Sequence, residues 1–456
     1  MRLNFDTIFR QYDVRGVYGD DLTDEKAEWI GKAFGTYIKR KGETKAVVGM
    51  DNRKSSPVLR QSIIKGLRST GINVVGIGTV ITPIFYYSTI DFHISSGIMV
   101  TASHNPAQYN GFKIQYAGRT LFGPELQEIK EIALKGSFEH GEGGYENCSP
   151  VEDYFRMMMG KIKLGNRKLK VVADAGNGTA GEFAIKILEE IGCEVIPLYC
   201  DSDPSFPHHF PDPTRVDNMR DLIRSVRENK ADVGLGFDGD GDRLGVVDET
   251  GEIIWGDRIM VLYWREILPK HPGADAIVEV KCSDQLVDEI KKLGGNPMFY
   301  KTGHSLIKAK MKEINAVFTG EMSGHMFFAD EYFGYDDAVY AAARLLRILS
   351  NTGDSLHQLL SGLPKSFATP EIRVPCKEEE KNAYVEKARV ELRKFALDTI
   401  EVDGVRARFN DGWGLVRASN TGPELIVRCE GKTKEACQKI KQVISQSLRP
   451  LNISVQ

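Results

Sequence analysis

A chain of 456 residues is too long for one hydrophobic core, so several domains are expected. With 41% hydrophobic and 27% charged residues it is not a disordered chain, and a net charge of −3 supplies no overall attraction to nucleic acid or anionic lipid. The N-terminal MRLNFDTIFRQYDVRG lacks an apolar signal core, no run of about 18 apolar residues is free of charge, and the seven cysteines form no CxxC pair; a cytoplasmic protein without a membrane span is expected.

In chain order, Lys45 to Gly78 reads as an apolar strand, a Gly/Asp turn, Ser-Ser-Pro opening a helix, then glycine and a second strand. This is a βαβ unit. The same order returns at Lys170 to Tyr199 and at Ala276 to Tyr300, where Leu286, Ile290 and Leu293 fall at helical spacing. The copies lie about 100 to 125 residues apart, a domain-sized interval. Three related α/β domains with mixed sheets are therefore expected, at 1–149, 150–254 and 255–367. Beyond Pro364 come a charged helix, β-type runs at GVRARF, GWGLVRAS and PELIVRCEG, and a final helix with Cys437, Ile440, Val443 and Ile444 on one face. These read as a smaller α+β domain at 368–456, with all four domains around a central cleft. The joint at Ser366 to Pro370 is expected to act as a hinge.

Four polar loops carry the candidate chemistry. In GIMVTASHNP, Ser103 follows the apolar run Ile98 to Val100; a strand end exposing a hydroxyl suits a nucleophile, although a lone loop serine serves equally as a turn residue. His104 is adjacent, and since neighbouring side chains diverge in an extended chain, a structural role is expected for it. In LGFDGDGDRLGVVDETG, Asp238, Asp240 and Asp242 alternate with glycines and offer hard oxygens to a divalent cation, against the plainer reading of a solvated acidic turn. Arg243 stands where a calcium-binding EF-hand loop needs glycine. Gly234, Gly236 and Gly239 match a dinucleotide pattern, but no helix follows and the aspartates would repel a pyrophosphate. The segment TGEMSGHMFF gathers Glu321, Ser323 and His325, suited to sugar hydroxyls or to a capped turn. In LVRASNTGPELIVR, Arg417, Ser419, Asn420 and Thr421 form either a phosphate cradle or a polar hairpin turn.

Taken in this order, TASHNP, DGDGDR, GEMSGH and RASNTGP, with FRQYDVRG near the start and KTGHSLIKAKM at Lys301 to Met311, resemble the α-D-phosphohexomutase family, most closely its bacterial phosphomannomutase/phosphoglucomutase branch. The resemblance spans the chain. It implies an intramolecular phosphotransferase that reversibly converts hexose 6-phosphate and hexose 1-phosphate, of mannose and glucose, through a phosphorylated Ser103 and a hexose 1,6-bisphosphate intermediate. It further implies Mg2+ held by Asp238, Asp240, Asp242 and the phosphoserine, a sugar loop at Glu321, Ser323 and His325, and a phosphate loop at Arg417, Ser419, Asn420 and Thr421. Tyr12 and Lys281 match substrate-binding positions, and Arg15, Lys113, Arg243, His304 and His325 match catalytic ones. The partner implied is a small phosphohexose, with no nucleic acid or membrane, and the chain is expected to act as a monomer or weak dimer. GEMSGH differs from the GEQSGH of phosphoglucosamine mutases, which remain an alternative, as do a phosphatase and a non-catalytic sugar-phosphate binder. Gln11 and Gly422 depart from the family pattern without removing a charge or hydroxyl.

Overall fold

The computed structural model describes residues 3–420 and 422–448. The three repeats fold as read. Lys45–Met50 pairs in parallel with Asn73–Thr79 across the helix Ser56–Ser69, whose Pro57 occupies the first turn, where a missing N–H costs no helical bond. Lys170–Asp174 pairs in the same way with Glu194–Leu198, and Asp275–Glu279 with Asn296–Tyr300.

In the first two units an antiparallel strand joins the parallel layer, in the third a separate antiparallel pair follows it, and these strands position the loops of interest. In the first sheet, of seven strands, Gly97–Val100 turns through residues 101–108 into the antiparallel Tyr109–Tyr116, which also pairs with Val14–Val17. In the second, Val233–Phe237 turns through residues 238–243 into Leu244–Asp248. In the third unit, Phe318–Gly320 turns through 321–325 into Met326–Phe328. The last unit is an antiparallel sheet in which Gly412–Ala418 turns through 419–423 into Glu424–Gly431. All four candidate loops are thus reversals between neighbouring strands, where the backbone leaves the ladder.

Two departures from expectation have physical causes. The third unit does not form one sheet among the described residues: its strands pair as two two-stranded sheets, and the Thr319 hydroxyl, instead of a ladder amide, donates to Ile277 O at 2.8 Å between them. The joint at Ser366 to Pro370 is only in part a linker. Phe367 and Ala368 pair with Gly431 and Glu430, and Thr369 N donates to Cys429 O at 2.8 Å, so these residues belong to the last sheet and a bend must precede them.

One buried apolar cluster runs from Val47 to Leu363 and fuses the first three units, while the last has its own core of Val405, Val427, Ile444 and their neighbours. The last unit docks through Trp413 and Leu415 against Val280, and through the buried Arg406, which donates to Val280 O at 2.6 Å and Cys282 O at 2.7 Å.

At the fused core, Asp337 caps the helix Ala338–Ser350 and accepts hydrogen bonds from the Tyr154 and Tyr332 hydroxyls, each at 2.7 Å. Burial nevertheless pushes its carboxyl up to about 6. The folded state therefore binds more protons than the unfolded chain between about pH 4 and pH 6, so the stability this group contributes is full below that window and is lost as pH rises through it. Relative to Asp337→Asn, the parent is expected to lose about 2 kcal/mol between pH 4 and pH 7. Denaturant melts at several pH values check this, and parallel curves for the two proteins would contradict it.

Candidate active site

Ser103 lies in a left-handed backbone conformation, with φ of +50°, held in part by its own N–H donating to Thr101 Oγ1 at 2.9 Å. The turn aims Ser103 Oγ at Asp238 Oδ2, 2.7 Å away in the second unit. It also brings Oγ to 3.0 Å from His104 Nδ1. The expectation that these neighbours diverge fails here because the loop is not extended. Burial, followed by the nearby Arg243 and Arg15 guanidinium groups, holds the His104 imidazole well below its ordinary range and therefore neutral.

The aspartate loop meets the serine loop at backbone level. A Cβ on Gly239 would stand 2.4 Å from Ser103 O, so glycine is what permits the approach, and Gly241 takes a φ of +75°. Asp238 Oδ1 accepts from the backbone N–H groups of Asp242 and Arg243, at 2.9 and 3.1 Å. Asp240 Oδ2 accepts from Thr82 Oγ1 at 2.6 Å and Thr101 Oγ1 at 3.1 Å. Lys113 Nζ bridges Asp240 and Asp242 at 2.7 and 2.5 Å. Despite burial, these carboxylates hold the Lys113 ammonium well above its usual range. Asp240 is held below the usual carboxylate range, its burial outweighed by Lys113 and the threonine hydroxyls. Asp238 is pushed well above it by burial and by Asp242 and Asp240.

One oxygen from each aspartate lies within 4.8 Å of the others, all three residues are fully buried, and Asp240 Oδ1 and Asp242 Oδ1 have no hydrogen-bond partner among the described residues. Hard anionic oxygens converging with an excess of negative charge fit a small divalent cation.

Arg243 carries the connection onward, donating from Nε to His325 Nε2 at 2.9 Å. The His325 ring stacks on His304 with centroids 5.3 Å apart, and their Nδ1 atoms lie 3.0 and 3.5 Å from Asp336 Oδ2. Lys308 holds the other oxygen of Asp336 at 2.9 Å. Glu321, buried, accepts from Gly303 N at 2.7 Å and from Ser323 Oγ at 3.1 Å. Tyr12 OH donates to Thr302 O at 3.2 Å, and Thr302 N donates to Asp403 Oδ2, which is 2.9 Å from Arg417 Nε. Lys281 pairs with Glu371 at 3.0 Å, and Arg15 donates to Asn105 Oδ1 at 2.9 Å.

The structure thus links Ser103, Lys113, Asp238, Asp240, Asp242, Arg243, His325 and His304 in one set of contacts. Glu321, Tyr12 and Arg417 join in a second set centred on Thr302 and Gly303. Ser419 accepts the Gly422 N–H at 3.2 Å and, with Asn420, lies in the last unit's turn. Thr421 lies outside the described residues. Sequence reasoning did not single out Arg53, Asp336, Lys308, Glu279, Glu371 or Asp403. Position at the C-terminal ends of strands could have flagged Arg53 and Glu279, since that end of a parallel sheet is where α/β proteins place their sites.

Family models describing the phosphoglucomutase/phosphomannomutase α/β/α domains I, II and III match residues 6–140, 152–251 and 255–367, and the model of the C-terminal domain matches 371–447. The chain belongs to the phosphoglucomutase/phosphomannomutase family. Its relatives include the phosphomannomutase/phosphoglucomutase of Pseudomonas aeruginosa, 44% identical over 449 residues that cover 98% of this chain and 97% of the relative. The phosphoglucomutase of Neisseria meningitidis is 42% identical over 438 residues, 95% of each chain. A solved structure of a phosphoglucomutase/phosphomannomutase family protein from Burkholderia thailandensis superposes with a TM-score of 0.92 at 39% identity, covering 98% of both chains. As a phosphoglucomutase/phosphomannomutase family member the chain is an isomerase that interconverts hexose 1-phosphates and hexose 6-phosphates, and the alternative of a phosphoglucosamine mutase has less support. No helix among the described residues is long and apolar enough to cross a membrane.

Proposed function

We propose that this enzyme acts on both mannose and glucose phosphates, moving a phosphoryl group between C1 and C6 by way of a phosphorylated Ser103. The observation that carries the reading is Ser103 Oγ at 2.7 Å from Asp238 Oδ2, at the rim of a buried aspartate triplet with two unpartnered oxygens. In the first half-reaction the Ser103 Oγ–P bond breaks as the substrate's free hydroxyl oxygen bonds to phosphorus and gives up its proton. The hexose 1,6-bisphosphate then reverses end for end, and its other phosphoryl group returns to Ser103. Asp238, Asp240, Asp242 and a phosphoserine oxygen would hold Mg2+, which when bound offsets charge on the transferring group.

The chain's own groups complete the assignment. A phosphoserine carries about −1.5 to −2 charges and meets a dianionic substrate phosphate, so Arg15, Lys113 and Arg243 are needed to offset the sum. Proton transfer is assigned to the His304 and His325 pair on Asp336. Glu321 and Ser323 would accept and donate to sugar hydroxyls, with Tyr12 and Lys281 beside them. Arg417, Ser419, Asn420 and Thr421 would hold the phosphate that is not being transferred. Because the same contacts must serve a molecule with its ends exchanged, the hydroxyls they read are those placed alike after the flip, and C2 is little read. We place domain boundaries at 149/150 and 254/255, and move the third from 367/368 to just before Phe367, which pairs with Gly431 in the last sheet. One chain supplies every assigned residue, which supports action as a monomer or weak dimer, and the unpaired cysteines fit a reducing cytoplasm.

Supplied in turn with mannose 1-phosphate and glucose 1-phosphate, the enzyme is expected to yield the 6-phosphates at turnover within about tenfold of each other, with almost no inorganic phosphate. Phosphate release matching sugar consumption would make it a phosphatase. A preference beyond about a thousandfold, roughly 4 kcal/mol, would overturn dual specificity.

A further inference from the structure

We propose that Arg53 is a positioning residue for phosphoryl transfer, holding the Ser103 loop from beneath so that Oγ keeps its aim at Asp238. The inference rests on Ser103 being the phosphoryl carrier. Arg53 follows the strand Lys45–Met50 and is 1% exposed. Its guanidinium has five N–H donors, and all five are engaged. Nη2 donates to Ser103 O and to Asn105 O, both at 2.6 Å. Nη1 donates to Pro106 O at 2.8 Å and Tyr109 O at 3.1 Å. Nε donates to Asp51 Oδ2 at 3.1 Å. No donor remains for a ligand, so Arg53 is not a substrate arginine; its capacity is spent on four carbonyls of one loop.

That loop contains a serine at φ of +50°, a conformation that side-chain-bearing residues adopt only when their surroundings impose it. Ser103 O is fixed between the Arg53 fork on one side and the Gly239 backbone on the other. Asp51 fixes the fork in turn. Its Oδ1 accepts from Ser56 Oγ at 2.5 Å and from Arg53 N at 3.1 Å, and its Oδ2 accepts from Ala102 N at 3.4 Å. The Arg53–Asp51 pair cancels its own charge, so its effect on the loop is one of shape. A lysine would keep the positive charge, but its point ammonium has three donors and cannot span four carbonyls.

The test compares Arg53→Lys and Arg53→Met with the parent, reading kcat and KM for glucose 1-phosphate and the rate at which glucose 1,6-bisphosphate phosphorylates Ser103 by intact mass. Both variants are expected to lose at least about a hundredfold in kcat and in phosphorylation rate, with KM within about threefold. A lysine variant that restores kcat to within threefold of the parent would overturn the proposal in favour of a charge effect. Loss confined to the folded fraction, with normal kcat per folded molecule, would reduce Arg53 to a stability role. Should neither variant fold, Asp51→Asn loosens the fork without removing it, and is expected to lower kcat about tenfold at unchanged KM; parental kcat would overturn the proposal. A parent without mutase activity would instead count against the carrier role of Ser103.

Discussion

Ser103→Ala is expected to lower mutase turnover by at least about three orders of magnitude and to remove the phosphate seen by intact mass, while the protein still folds and still binds glucose 1,6-bisphosphate. The size of the effect follows from the absence of a substitute. The other hydroxyls at the aspartate loop, on Thr82 and Thr101, donate to Asp240 and are buried, so neither can be reached by a sugar phosphate. His104 Nδ1 is close by but belongs to a half-buried imidazole held neutral. The cost to folding is about 1 kcal/mol for a lost hydrogen bond, because Asp238 keeps two backbone donors. Retained turnover in the alanine variant would place the carrier elsewhere.

Asp240→Asn is expected to cost about two to three orders of magnitude in turnover and to raise at least tenfold the magnesium concentration that half-restores it. Asp240 divides its two oxygens between tasks. Oδ2 accepts from Thr82, Thr101 and Lys113, whereas Oδ1 is buried without a partner among the described residues. An amide cannot do both. With its NH2 at the Oδ2 position it faces three donors, and with its NH2 at the Oδ1 position it points a donor where a cation is proposed to bind. One ligand charge is lost in either orientation. An unchanged metal titration, measured on the phosphorylated enzyme, would contradict the ligand assignment.

Residue type and spacing were enough to mark each loop as a candidate, through alternating Asp and Gly, a serine after an apolar run and an arginine among hydroxyls, but left a plain polar turn open at each. The βαβ copies were readable from periodicity, and the match to the phosphohexomutase motifs joined them. What the sequence concealed depends on contact between distant segments. Arg53 looked like any charged residue before a helix until four carbonyls from residues 103–109 were seen to close over it. Asp336 and Lys308 acquire meaning only beneath the two imidazoles, and Asp403 only between Thr302 and Arg417. The expected divergence of Ser103 and His104 failed on a single dihedral angle, and a two-residue strand pairing at long range places Phe367 and Ala368 in the last sheet, so a hinge there would have to lie before them.

The strand order of the last unit also dictates a sequence of events during synthesis. Glu424–Gly431 lies between the opening strands Phe367–Ala368 and Ile372–Pro375 on one side and Gly412–Ala418 on the other. Those opening strands therefore emerge from the ribosome with nothing to pair against until some fifty residues later, whereas the apolar cluster of the first three units is already complete at Leu363. The nascent chain can assemble Ser103 and the three aspartates before the last unit is able to fold. A ribosome stalled before residue 424 would leave Asp403 and Arg417 without the folded sheet that sets them beside Thr302.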